Sequence, residues 1–204
     1  QFDASGANRL RFCQRNLPAF GRRWSDAHCR HRSFTDIFCF QEVFNDLDKD
    51  TPTDTYVDHT EGNKHILGEI DAILTDFDMY FCPVEQNVYG IAIFLKKGME
   101  IVSSGEVMLY ENPAFDPSDV ESDHNRKMQW MHIKRDRKDV IIMNVHGHWS
   151  AEGKNDTKNR LVQSKAINDF IATTGATPKI LVGDFNLLPE TQSIKMIEEN
   201  FTNL

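Results

Sequence analysis

The chain has 204 residues and a mass of 23.5 kDa, enough for one ordinary domain and too little for two well-filled ones. With 40% hydrophobic and 26% charged residues, 11 Gly and 7 Pro, its composition excludes disorder as the whole answer. The net charge of −8, from 23 Lys and Arg against 31 Asp and Glu, disfavours a broad basic face that clamps nucleic acid, yet it leaves room for carboxylates that hold a divalent cation against a phosphate.

The first 33 residues hold 7 of the 11 Arg and none of the 12 Lys, so that segment is net +5 and the remainder net −13. No clean helical or strand period runs through it. A shift this sharp predicts that residues 1–33 stand outside the conserved fold as a tail, linker or foreign sequence, with a basic nucleic-acid arm as the functional alternative. The ordered domain is expected over residues 34–204. Four cysteines, Cys13, Cys29, Cys39 and Cys82, form no C-x-x-C pair and no dense framework. Cys39 and Cys82 lie in apolar runs and read as small buried hydrophobes, which points to a reduced, cytoplasmic compartment.

Ile37 to Phe40 is a short apolar run typical of a strand buried on both faces, ending in Gln41-Glu42. A polar loop over 45–62 follows, then Lys64 to Phe77 carries apolar residues at helical spacing. Strands are predicted over 79–83, 89–95, 100–110 and 127–134, with a loop broken by Pro113 and Pro117 before the last of them. Val140 to His146 is a further strand. Asp156 to Ile171 reads as a helix with Asp156 or Thr157 as N-cap, Lys179 to Val182 as a buried strand, and Pro189 to about Glu199 as a last helix. Several strands run consecutively, so a mixed-sheet α/β domain fits better than a doubly wound one. The longest apolar stretches, Ile91 to Leu95 and Val140 to Met143, fall far below the roughly 20 residues that span a bilayer, so no membrane span is expected.

Three apolar strands end in side chains able to bind metal or move protons: Glu42 after Phe40-Gln41, Asn144 and His146 after Ile141-Ile142-Met143, and Asp184 and Asn186 after Leu181-Val182-Gly183. Ligands collect beyond the carboxyl ends of strands in α/β sheets, and such oxygen donors suit Mg²⁺. Each residue also has a bland alternative. Glu42 reads equally as solvated, His146 as a satisfied core histidine, Asn144 as a loop-bonding amide, and Asp184 and Asn186 as turn residues. Their joint occurrence favours the functional reading. His146-Gly147-His148 opens like a His-x-His zinc site, but Trp149-Ser150 follows instead of further ligands.

From about Thr35 to Leu204, Gln41-Glu42, Gly90 to Phe94, Asn144-Val145-His146 and Gly183-Asp184-Phe185-Asn186 occur in an order that resembles the endonuclease/exonuclease/phosphatase (DNase I-like) superfamily. The resemblance implies a four-layer sandwich of two mixed β-sheets flanked by helices, incomplete at the C-terminus, and hydrolysis of a phosphoester that depends on Mg²⁺ or Mn²⁺. It implies that Glu42 holds the metal, Asp184 orients or activates the attacking water, Asn186 positions water and phosphate, and His146 donates to a phosphate oxygen. Asn144 and Arg160 are the further residues expected on the substrate side. The substrate is a small phosphoester or a nucleic acid, and no obligate protein partner is implied.

Two departures accompany the resemblance. The family's first strand supplies a metal-binding Asn in a Leu-Asn-x-Trp pattern; Asn8 and Asn16 lack the apolar strand that would place one. The family also closes with Ser-Asp-His before a final strand, where this sequence reaches Leu204. Ser122-Asp123-His124 precedes Asn125-Arg126-Lys127 and reads as loop. A metal-dependent phosphoesterase, impaired in this form, is therefore the first reading, and a non-catalytic binding module on the same scaffold is the second.

Overall fold

The computed structural model describes residues 12–16, 35–45, 47, 66–116, 123–135 and 137–203, with backbone alone for 12–16 and 66. The elements in chain order are β1 (Phe12–Asn16), β2 (Ile37–Phe44), α1 (Ile66–Ile73), β3 (Phe77–Glu85), β4 (Tyr89–Lys96), β5 (Glu100–Tyr110), β6 (Arg126–Arg135), β7 (Lys138–His146), α2 (Lys158–Thr173), β8 (Lys179–Asp184) and α3 (Gln192–Glu198). They build two four-stranded sheets of order β1-β2-β4-β3 and β5-β6-β7-β8. Each is mixed: β1 runs parallel to β2 and β7 parallel to β8, while the other pairs are antiparallel.

Period-two alternation explains the layers. On β2, Phe38 and Phe40 face Leu67, Ile70 and Leu74 of α1 and its end, whereas Ile37 and Cys39 face the other sheet. On β7, Val140 and Ile142 meet them between the sheets, and Ile141, Met143 and Val145 face outward to Ile167 and Ile171 of α2 and Ile197 of α3. The result is helix, sheet, sheet, helix: the four-layer sandwich expected from the sequence. Cys39 and Cys82 are free and buried; burial and the neighbouring Glu106 carboxylate push the Cys82 thiol up to about 12, so it stays protonated. No helix among the described residues is long and apolar enough to cross a membrane.

The main difference from the sequence reading lies upstream of residue 34. Phe12–Asn16 forms β1, and its register sets Asn16 opposite Gln41 at the strand's carboxyl end. Strand pairing with the apolar β2 overrides a five-residue sequence that has no period of its own. Residues 1–11 and 17–34, which carry most of the Arg-rich composition, lie outside the described residues.

Parallel β7 and β8 approach closely because glycine stands at two contact points. A Cβ on Gly183, whose φ is 147°, would overlap the Val145 carbonyl, and one on Gly147 would overlap the Phe185 carbonyl. Gly98 has φ +88° but open space around it. Gly183→Ala is expected to cost about 3 kcal/mol and Gly98→Ala about 1 kcal/mol in urea denaturation, because only the first adds backbone overlap to strain. Equal losses would mean that the β7–β8 approach is slack.

Candidate active site at the carboxyl ends of three strands

The site is anchored by two amides between the sheets. Asn144 follows Val140 and Ile142 on the inward face of β7 and is fully buried, as is Gln41 on β2. Gln41 Nε2 donates to Asn144 Oδ1 at 2.6 Å, and Asn144 Nδ2 donates to the carbonyls of Phe40 at 3.1 Å and Ala92 at 3.3 Å. These bonds join β2, β4 and β7 where water is excluded, so each unmade one would leave a buried polar group unpaired. The structure therefore places Asn144 beneath the site mouth.

Beyond these amides β2 bulges between Phe40 and Val43, and Glu42 takes φ 58°. A non-glycine residue in this region costs on the order of 1–3 kcal/mol, and such strain gathers at functional positions. The bulge turns the Glu42 carboxylate, 40% exposed, toward the buried ring of His146, with Oε1 to Nε2 at 3.5 Å. The other ring nitrogen, Nδ1, lies 3.4 Å from the hydroxyl of Tyr89. Register in parallel β7 and β8 pairs His146 with Asp184. Asp184 Oδ1 accepts the Asn186 backbone N–H at 2.9 Å, holding Asn186 at φ 52°, while Asn186 Nδ2 donates to the Gly147 carbonyl at 3.1 Å. Glu42, His146, Asp184 and Asn186 thus share one mouth.

Burial holds the His146 pKa well below the ordinary histidine range, and the nearby charges of Arg126 and His124 lower it further. A neutral ring that faces a carboxylate through Nε2 and a phenol through Nδ1 suits the Nε2–H tautomer, in which Nδ1 accepts from Tyr89. His146 is therefore a ready donor at neutral pH.

Arg160, expected near a phosphate, is buried on the first turn of α2. Its Nε donates to the His148 carbonyl at 3.0 Å and its Nη1 to the Asn155 carbonyl, so it braces the loop after β7. Thr157 caps α2, accepting the Arg160 N–H, whereas Asp156 serves the start of α3 through Gln192 and Ser193.

The sequence reading missed four residues around the mouth. Tyr89 opens β4 immediately before the Gly-Ile-Ala-Ile-Phe run. Arg126 opens β6 and donates through Nε to the Gly147 carbonyl at 2.9 Å. Asp123 and His124 do lie on a loop, but that loop folds onto the site: His124 packs on Tyr89 with ring centroids 5.1 Å apart, and Asp123 Oδ2 is 3.4 Å from His148 Nε2. The available signal was the density of titratable residues before an apolar strand. Spacing alone carries no information on a contact across the sheets.

The sequence model of the Endonuclease/Exonuclease/phosphatase family matches residues 7–201. The chain belongs to this family. No curated protein matches it. Among solved structures, it is similar to an endonuclease/exonuclease/phosphatase family protein of Bacteroides thetaiotaomicron at 22% identity and TM-score 0.59, covering 85% of this chain and 57% of that one. A mannosyl-6-phosphatase of Bacteroides thetaiotaomicron VPI-5482 gives 19% identity and TM-score 0.64, covering 94% and 70%. TDP2 from Caenorhabditis elegans gives 18% and 0.54, covering 80% and 41%. The chain thus spans little more than half the length of the first of these.

Two predictions follow from the geometry. Asn144→Leu strands the Gln41 amide and the two carbonyls it served, at an expected loss of about 3 kcal/mol in urea denaturation; a loss under about 1 kcal/mol would mean that the pin is dispensable. The depressed pKa of His146 means that the unfolded chain, titrating near 6.5, binds the extra proton first. The associated stability is complete above about pH 6.5 and drains away as pH falls below it, by about 1.4 kcal/mol per pH unit for one group. His148, also lowered by burial, adds the same sign, and Glu85, raised by burial, the opposite. The stability difference between wild type and His146→Gln should accordingly shrink on acidification from about pH 6.5 to 5.5; a constant difference would place the titration elsewhere.

Proposed function

We propose that the chain is a divalent-metal-dependent phosphoester hydrolase. The reading is carried by one juxtaposition: the strained, half-exposed Glu42 carboxylate 3.5 Å from the neutral His146 ring, with Asp184 beside it in register. Family membership supports it.

The donor set can be tested against the metal that the family implies. No group of three or more His, Cys, Asp and Glu side chains among the described residues is arranged to hold an ion. The oxygen donors at the mouth, the Glu42 carboxylate with a substrate's phosphate oxygens, suit Mg²⁺ or Mn²⁺ better than zinc, since Mg²⁺ keeps several waters and takes one or two carboxylates plus phosphate oxygens. Glu42 would hold the ion, and Asn16, brought opposite Gln41 by β1, stands where the family's first-strand Asn is expected. When bound, the ion polarises the phosphoryl oxygens and balances their charge.

The protein's own residues supply the remainder. Asp184, its Oδ1 held by the Asn186 N–H, orients the attacking water. Asn186, its amide fixed by Gly147, keeps Oδ1 to align that water with the phosphorus. His146 donates Nε2–H to a non-bridging oxygen as negative charge builds in the transition state. Water attacks phosphorus, the ester P–O bond breaks, and the proton that the water gives up passes through solvent to the departing oxygen. Asn144 and Arg160 act here by positioning β7 and the loop after it. We retain the proposal that the Arg-rich residues flanking β1 are separate from this machinery.

Titration calorimetry with Mg²⁺ and hydrolysis of bis(p-nitrophenyl) phosphate test the reading. Glu42→Gln should weaken Mg²⁺ binding by at least about tenfold, and Asp184→Asn should lower turnover about a hundredfold or more. Mg²⁺ binding unchanged in both variants would overturn the metal assignment. Phosphate binding without any hydrolysis in the wild type would favour the non-catalytic module.

A further inference from the structure

Glu85, at the end of β3, is a buried carboxylate that the proposed chemistry does not use. A carboxylate taken out of water needs hydrogen bonds in exchange, and Glu85 takes two from one residue of the loop before β6. Its Oε1 accepts the Asn125 N–H at 2.6 Å and its Oε2 the Asn125 Nδ2–H at 3.3 Å. The other polar groups of Asn125 are engaged as well. Its Oδ1 accepts the Asn112 N–H at 2.6 Å and its carbonyl accepts from Arg126 Nη1 at 3.1 Å, while Asn112 Nδ2 donates to the Asp123 carbonyl at 2.8 Å. Asp123 in turn reaches His148, on the loop after β7. Residues 123–125 therefore form a strap that runs at the mouth from the β3–β4 hairpin of one sheet to the other sheet.

The middle residue of the strap meets the site. His124 packs on Tyr89 with ring centroids 5.1 Å apart and on Phe115 at 5.3 Å, and Phe44 packs on Tyr89 at 5.1 Å. Glu85 and Tyr89 stand opposite each other in the β3–β4 register, so their side chains share one face of the sheet. The turn between them is tight: Val88 N–H donates to the Glu85 carbonyl at 2.8 Å, and Gln86 and Asn87 both have positive φ, 39° and 61°. Backbone geometry thus fixes the carboxylate and the phenol ring relative to each other. The bond that the ring carries is a sensitive one. The Tyr89 hydroxyl lies 3.4 Å from His146 Nδ1, near the outer limit for a hydrogen bond, so a small displacement of the ring breaks it.

We propose that Glu85 is a positioning residue: it latches residues 123–125 so that His124 seats Tyr89, and Tyr89 holds His146 as the Nε2–H donor of the reaction. The inference rests on the phosphoesterase reading and deepens it. When Tyr89 is displaced, Nδ1 loses this donor and the Nδ1–H tautomer competes, which puts a lone pair on Nε2 where a proton is required. That proton is wanted only as charge builds on the phosphate, so turnover falls and substrate binding does not.

The test reads the ring nitrogens of His146 by nitrogen NMR, and turnover of bis(p-nitrophenyl) phosphate with Mg²⁺, in the whole chain carrying Glu85→Ala, Tyr89→Phe or both. Tyr89→Phe keeps the ring and removes only the hydroxyl. His146 should be the Nε2–H tautomer in the parent, with the Nδ1–H form rising in each variant. In each, kcat should fall about tenfold with KM within about twofold of the parent, and the double variant should be no worse than Tyr89→Phe alone, because both changes act through one hydrogen bond. Tautomer populations unchanged in both variants, or losses that multiply to about a hundredfold in the double variant, overturn the proposal. Absence of turnover in the parent, with the tautomer shift intact, overturns the phosphoesterase reading alone.

Discussion

Two sheets packed face to face need nothing polar between them, so the hydrogen bond from Gln41 to Asn144 is an exception that has to be explained by position. It sits at the last layer of the inter-sheet core, with Gln41 inside the β2 bulge and Asn144 two residues before His146. A purely apolar layer there would pack equally well in several small offsets, because dispersion has no direction. The amide pair permits one offset only. Asn144 also takes the Phe40 and Ala92 carbonyls, so the relative placement of β2, β4 and β7 is fixed by a single side chain.

Everything at the mouth inherits that alignment. The bulge adds a residue to β2, so Glu42 leaves the strand rhythm and Val43 rejoins the α1 face with Phe38 and Phe40. On the facing sheet, parity alone delivers His146 to the same space, since it follows Asn144 by two. Its neighbours then decide its chemistry. Arg126 is buried close by with its Nε spent on the Gly147 carbonyl, and its charge adds to desolvation in keeping the imidazole neutral. One guanidinium thus fixes the backbone after β7 and adds to the burial that keeps the residue ending it neutral.

How far this was legible in the sequence divides along the same line. Strands buried on both faces announced themselves as apolar runs, and the period of two assigned Asn144 and His146 to one face. The polar ends of β2, β7 and β8 were visible because a strand that stops at Glu, His or Asp breaks its own pattern. What stayed hidden depends on contacts between segments far apart in the chain. Phe12–Asn16 has no strand signature and becomes a strand by pairing with β2; Asp156 looked like the cap of the nearer helix and serves α3 instead. The Asp123-His124 loop was correctly placed as loop, yet the contacts of His124 with Tyr89 and of Asp123 with His148 are what show which end of the sandwich it covers.

Strain is distributed unevenly across the mouth, and the distribution separates what is held from what holds. Asn186 at φ 52° is cheap, because asparagine tolerates left-handed backbone and its N–H finds the Asp184 carboxylate two residues away. Glu42 at φ 58° has no such intrinsic tolerance. A fold under selection for stability alone would place Gly or Asn at the bulge and regain on the order of 1 kcal/mol or more. A carboxylate stands there instead, 3.5 Å from the His146 ring and 40% exposed, and the metal-binding role proposed for Glu42 is what would account for that strain.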